Sequence, residues 1–116
     1  MGTKIFHNPR CSKSRQTLAL LQEKRIEPSV VEYLNTPPSK EELKKILGML
    51  GISPRELMRK NEDEYKELNL NDPALSDEQL IDAMVAHPKL IERPIVIHDN
   101  QAVIGRPPEK VLELIG

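Results

Sequence analysis

The chain has 116 residues, enough for one domain whose core covers roughly two-thirds of the surface its unfolded chain would expose, and too few for a second domain of ordinary size. Charged residues make up 30% and the formal net charge is -1, so no global basic excess draws it to nucleic acid or to an anionic membrane, and any anion site must be local. Phe6, Tyr33 and Tyr65 are the only aromatic residues, which leaves no stacking platform for single-stranded nucleic acid, and no stretch approaches the roughly 20 apolar residues that span a bilayer.

Thr3 to Phe6 reads as a short strand and Asn8-Pro9 as a turn, after which Leu18, Leu20 and Leu21 give one apolar face to a helix from about Ser12 to Lys24. The run before the turn carries no apolar leader segment, so a cytoplasmic protein is expected. Ser29 to Leu34 has the β-branched content of a second strand, ended by Asn35-Thr36-Pro37-Pro38. The middle of the chain changes character. Ser39…Glu42, Ser53…Glu56 and Ser76…Gln79 each have capping-box spacing and predict three helix starts. Leu43, Ile46, Leu47 and Leu50 recur at helical spacing up to Gly51, a C-cap candidate, while Pro54 sits at a first helical position. Glu62 to Leu70 is a short polar helix carrying Tyr65 and Leu68, and Leu80, Ile81, Met84 and Val85 form a further helical face that stops at His87-Pro88.

After Arg93, Pro94 to Ile97 is a strand, Asp99-Asn100 a tight turn and Ala102 to Ile104 a returning strand; Pro107-Pro108-Glu109 then opens a last helix with Val111, Leu112, Leu114 and Ile115 on its buried side. The order βαβ, helical block, ββα is that of an α/β protein with a thioredoxin-like fold and a helical insertion, approximately residues 39–87, between its two halves, all within a single domain spanning 1–116. In such folds the proline opening the third strand is commonly cis, so a cis Arg93-Pro94 bond is expected.

Cys11, the only cysteine, lies at the strand-to-helix junction in His7-Asn8-Pro9-Arg10-Cys11-Ser12-Lys13-Ser14-Arg15. The unpaired N–H groups of a helix start and the cations Arg10, Lys13 and Arg15 favour a thiolate there, whereas an inert buried cysteine normally has apolar neighbours. With no second cysteine, any redox cycle through Cys11 must take its other thiol from another molecule. Cys11-Ser12-Lys13-Ser14 is a CxxS variant of a dithiol motif; Ser14 cannot resolve a disulfide but can donate a hydrogen bond to the thiolate or a substrate, or else sit exposed in the first turn. His7 either stabilises the thiolate as an imidazolium or orders the loop. His87 reads as a helix C-cap and His98 as a surface residue at the hairpin turn, and no transition-metal spacing is present.

Arg59, Arg93 and Arg106 each stand at the end of an element. Arginine suits a tetrahedral oxyanion because its planar fork donates two parallel hydrogen bonds and stays protonated. Arg93 and Arg106 also precede prolines, which hold their backbones extended.

The motifs His7-Asn8-Pro9-Arg10-Cys11, Arg59-Lys60-Asn61, His87-Pro88…Arg93-Pro94-Ile95-Val96 and Gly105-Arg106-Pro107-Pro108-Glu109 together resemble the glutaredoxin-dependent arsenate reductases of the ArsC family, nearly end to end. That resemblance implies reduction of arsenate to arsenite with glutathione as co-substrate and glutaredoxin as electron donor, no bound cofactor, Cys11 as the catalytic thiol and Arg59, Arg93 and Arg106 as oxyanion-binding residues. His7 matches the histidine before the family's Asn-Pro step, with Ser14 and Arg15 as further thiolate-stabilising candidates. Arg10 stands where some members carry a small residue. Two other readings remain: a glutathione-linked thiol-disulfide reductase, and a non-catalytic redox regulator resembling the Spx transcription factors, which usually carry CxxC where this chain has CxxS. A monomer is the expected state.

Overall fold

A computed structural model describes residues 2–115 of the chain. They form two compact units, one built from the two sequence ends (up to Thr36 and from Arg93) and one from Pro37–Glu92.

In the first unit, β1 (Thr3–Phe6) buries Thr3, Ile5 and Phe6 and lies at the centre of a four-stranded sheet in the order β2-β1-β3-β4. β2 (Ser29–Val31) pairs parallel to β1 through the crossover helix α1 (Ser12–Glu23), while β3 (Ile95–His98) runs antiparallel to β1 and to β4 (Gln101–Ile104). This is the thioredoxin-like plan. The β3–β4 hairpin closes through Asp99 and Asn100, whose φ angles of 49° and 64° are the left-handed pair that a two-residue turn requires. Ile5, Leu21, Val96 and Val111 form the fully buried centre, ringed by Leu18, Leu20, Ile26, Val103 and Leu112.

Three details depart from the sequence pattern. β2 ends at Val31 instead of Leu34, because the chain turns at once through Asn35 and Thr36 amides donating to the Glu32 carbonyl, and Tyr33 is buried as the anchor of that turn. The last helix starts as a 3-10 turn (Pro108–Lys110) before α6 (Val111–Ile115). The inward face of α1 is Ser14, Thr17 and Leu21, so two hydroxyl residues point into the unit where a leucine stripe was expected.

The second unit is helical: α2 (Lys40–Leu50), α3 (Pro54–Leu57), α4 (Asp63–Glu67), α5 (Asp77–Ala86) and a 3-10 turn at Pro88–Leu90. Ser39, Ser53 and Ser76 are the N-caps of α2, α3 and α5, accepting from the amides of Glu42, Glu56 and Gln79, and at Ser53 and Ser76 the third residue's side chain closes the box reciprocally. Gly51, at φ 68°, ends α2 in the left-handed conformation. Leu43, Ile46, Leu57, Leu80, Met84 and Leu90 are the buried centre. Tyr65 of α4 is buried, whereas Leu68 is 45% exposed, beyond that helix's last turn. Lys40 and Lys44 on α2 grip Glu78 on α5 at 2.6 and 2.7 Å, holding its carboxyl down to about 2. No helix among the described residues is long and apolar enough to cross a membrane.

Candidate active site

The loop from β1 to α1 is tied at every step. The His7 amide donates to the Val31 carbonyl (2.8 Å), carrying the β1–β2 ladder one residue past Phe6. The Asn8 side chain accepts from the Arg10 amide (3.0 Å), its carbonyl accepts from the Cys11 amide (3.0 Å), and the Cys11 carbonyl then receives the Arg15 amide (3.0 Å), the first bond of the helix. Cys11 is therefore the N-cap of α1, with extended backbone (φ -94°, ψ 123°), and its side chain does not cap the helix. It is a free thiol, 9% exposed. The amides of the first turn lie where they favour an anion. The Arg15 guanidinium is held against the same loop by donating to the Pro9 carbonyl (2.9 Å).

Ser14 is fully buried, not an exposed first-turn serine. Its Oγ accepts from the Asn8 amide (3.0 Å) and lies 2.6 Å from His7 Nδ1. His7 is itself buried, and that burial pushes its pKa below the ordinary 6.5, with Glu32 opposing and Arg15 reinforcing the shift. The ring is thus neutral at neutral pH. Of the two roles the sequence left open for His7, the geometry supports the ordering one: a neutral imidazole locks Ser14 and, through it, the loop that carries Cys11. Because folding keeps this ring neutral, protons bind the unfolded chain more readily than the native one below the ordinary histidine pKa. Stability from His7 is therefore complete above about 6.5 and should fall as pH drops from there towards the lowered native value. Urea midpoints measured between about pH 7 and pH 5 should decline, and the decline should flatten in His7→Asn.

Arg93 and Arg106 are brought together at this unit's two X-Pro turns: the Arg93–Pro94 bond is cis as expected, the Arg106–Pro107 bond is cis as well, and Arg106 Nη1 donates to the Arg93 carbonyl (3.1 Å). Arg106 is exposed, while Nε and Nη1 of Arg93 are shielded from solvent. Gly105, a residue that sequence reasoning gave no role, makes this junction. Its amide donates to the Pro94 carbonyl (2.9 Å), and a Cβ there would lie 2.6 Å from Thr17 Oγ1 and 3.0 Å from Pro94 Cγ. The only sequence signal is its place before Arg106-Pro107.

Arg59 belongs to the helical unit. There the Met58–Ile91 bridge, flanked by Arg59 amide to Leu90 carbonyl (2.7 Å) and Glu92 amide to Leu57 carbonyl (2.9 Å), sets two short segments side by side. Arg59 Nη1 donates to Glu62 (2.9 Å), and its Nε faces Glu92 at 3.6 Å. His87 caps α5 as expected, its amide donating to the Ala83 carbonyl (2.8 Å). His98 is more than a surface residue: its Nδ1 lies 2.7 Å from Thr3 Oγ1, linking β3 to the start of β1.

A free, largely enclosed thiol at a helix start, on a loop with little slack, is an arrangement suited to thiol chemistry, and arginines such as Arg93 and Arg106 are suited to binding an anion. Proteins of known name carry the same chain plan. An uncharacterised protein, YfgD of Escherichia coli K12, is 61% identical over 114 residues, 97% of this chain and 96% of its own. An arsenate reductase of Neisseria meningitidis serogroup A is 52% identical over 109 residues, 93% of each chain. The structure of an arsenate reductase from Vibrio cholerae superposes with a TM-score of 0.95 at 58% identity, covering 97% of both chains. The family model described as the ArsC family matches residues 6–114, all but the ends of the sequence, and with relatives this similar over nearly their full length the chain belongs to that family.

Proposed function

We propose that this protein reduces arsenate to arsenite through a covalent adduct on Cys11, with glutathione and glutaredoxin as electron donors. The observation that carries the reading is the Cys11 site itself: a single free thiol at the N-cap of α1, its loop fixed by Asn8, His7 and Ser14, with no cysteine partner in the chain. The names of the relatives support arsenate as the substrate.

The Cys11 thiolate attacks arsenic and a water departs, leaving a Cys11–S–As(V) bond. Arg59, Arg93 and Arg106 bind the oxyanion and balance the charge on its oxygens. A glutathione thiol displaces a second water to give a mixed Cys11–S–As–S–glutathione adduct. Glutaredoxin's thiolate then attacks the glutathione sulfur. That S–As bond breaks, its electron pair reduces arsenic to As(III), and a glutaredoxin–glutathione disulfide forms. Water releases arsenite and restores the Cys11 thiol. Phosphate has the same shape and charge but thiols do not reduce it, so it should inhibit competitively. The dependence on an external thiol suits a reducing cytoplasm, and a monomer is the state we propose.

The test is arsenate-dependent NADPH oxidation coupled through glutathione reductase, with glutathione and glutaredoxin present. The expected rate requires all components. No arsenate-dependent rate in the complete mixture would overturn the assignment, and turnover of a glutathionylated peptide without any response to arsenate would reassign the protein as a thiol-disulfide reductase.

A further inference from the structure

We propose that Glu62 and Glu92 form a carboxylate brace on Arg59 that holds the guanidinium in one orientation, weakens its attraction for an incoming oxyanion and so sets the affinity of the site for arsenate and phosphate. The inference rests on the reading of Arg59 as an oxyanion ligand.

Arg59 does not meet its surroundings as an isolated cation. Nη1 donates to Glu62 Oε2 at 2.9 Å, and Nε lies 3.6 Å from Glu92 Oε1. All three side chains are about a quarter exposed, at 24%, 25% and 28%, so water screens them only in part. The Glu62 carboxylate, in direct contact with Nη1, offsets much of the Arg59 charge, and Glu92 adds a second, more distant carboxylate on the Nε side. The arrangement is built by the backbone. The Met58–Ile91 bridge fixes Glu92 opposite the Arg59 segment, and Glu62 follows Arg59 by three residues, its amide donating to the Arg59 carbonyl (3.5 Å).

A guanidinium has five N–H donors. The brace engages one on Nη1 and faces the one on Nε, which leaves both Nη2 protons and the second Nη1 proton for a ligand. The fork that recognises a tetrahedral anion is therefore preserved, and its direction is set by Glu62. The cost falls on the anion, which meets a guanidinium whose charge Glu62 already balances. A site so balanced releases arsenite and phosphate more readily than a bare arginine would.

Glu62→Gln separates charge from orientation, because the amide oxygen can still accept from Nη1 while the negative charge is gone. At fixed ionic strength, since exposed charges are screened by salt, the KM for arsenate and the dissociation constant for inorganic phosphate, read by calorimetry, should both fall about three- to tenfold, with kcat changing less than about twofold. Glu92→Gln should act in the same direction and serves as the second variant if Glu62→Gln fails to fold. A brace of purely structural role predicts wild-type constants for the folded glutamine variants, and that result, or weaker phosphate binding, overturns the proposal. Arg59→Gln keeps its failure distinct from that of the underlying reading. If that variant binds phosphate as wild type does, Arg59 is not an anion ligand and both fall; if it binds weakly while Glu62→Gln is unchanged, only the brace falls.

Discussion

Cys11→Ser should lose arsenate-dependent turnover to the assay background, a fall of roughly 10^3-fold or more, while folding as well as the parent protein. The chemical part follows from the nucleophile: a hydroxyl at neutral pH is a far weaker attacker of arsenic than a thiolate, and no second cysteine can take over. The stability part follows from the position. Cys11 is the N-cap of α1 and its side chain makes no cap, whereas serine is among the preferred N-cap residues and can accept from a first-turn amide. Thermal unfolding should therefore be unchanged or shifted upward by up to about 1 kcal/mol in stability. An inactive but fully stable Cys11→Ser separates chemistry from folding in one variant. Retained activity would remove Cys11 from the mechanism.

Gly105→Ala should destabilise the protein by roughly 1–3 kcal/mol, the range for forcing one extra carbon into a packed site, and lower activity with it. The glycine is required by the close approach of two elements. Its added Cβ would meet Thr17 Oγ1 at 2.6 Å and Thr17 Cγ2 and Pro94 Cγ at 3.0 Å. Thr17 cannot easily move aside: it is fully buried, β-branched in a helix, and its Oγ1 donates to the Lys13 carbonyl at 2.8 Å. Any shift is passed to Pro94, which the Gly105 amide holds, and to Arg106, which reaches back to the Arg93 carbonyl. Removing the obstructing side chain supplies the control. In Thr17→Ala/Gly105→Ala the two costs should be less than additive in a urea-unfolding double-mutant cycle; strict additivity would show that the two residues do not compete for the same space.

Local chemistry made much of the architecture legible. Ser39, Ser53 and Ser76 mark helix starts because a hydroxyl that accepts an orphan amide does so within its own segment, and Asp99-Asn100 and Gly51 mark turns because few residues tolerate positive φ. What the pattern concealed depends on distant partners. Ser14 could be read either as a hydrogen-bonding or as an exposed hydroxyl, and nothing in the sequence marked Thr17, yet both point inward. Thr17 can do so because its Oγ1 is satisfied by the Lys13 carbonyl and lies 3.4 Å from that of Gly105, 88 residues away; Ser14 because His7 and Asn8 meet it. Val30 fits a strand by its β-branched side chain but lies on an edge strand and is 47% exposed, so propensity located the strand without locating its burial. Around Arg59 the same divide holds: Glu62 is three residues on and visible as a helical-type neighbour, whereas Glu92 arrives only through the Met58–Ile91 bridge. Arg55, unremarked in the sequence, anchors the chain after α4 by donating to the carbonyls of Leu70 (2.8 Å) and Asp72 (3.0 Å).

The enclosure of Ser14 bears on how this protein can change over evolutionary time. One codon substitution, Ser14→Cys, would recreate the two-thiol spacing of a self-sufficient redox motif. The new sulfur would have to replace an oxygen that has no exposure, lies 2.6 Å from a neutral imidazole and accepts the Asn8 amide, and a thiol is larger and a weaker hydrogen-bond partner. The step would loosen the very loop that presents Cys11 before the second thiol brought any benefit. Reliance on a borrowed thiol is in this sense built into the packing, and an escape from it would have to remodel His7 and Asn8 together with Ser14.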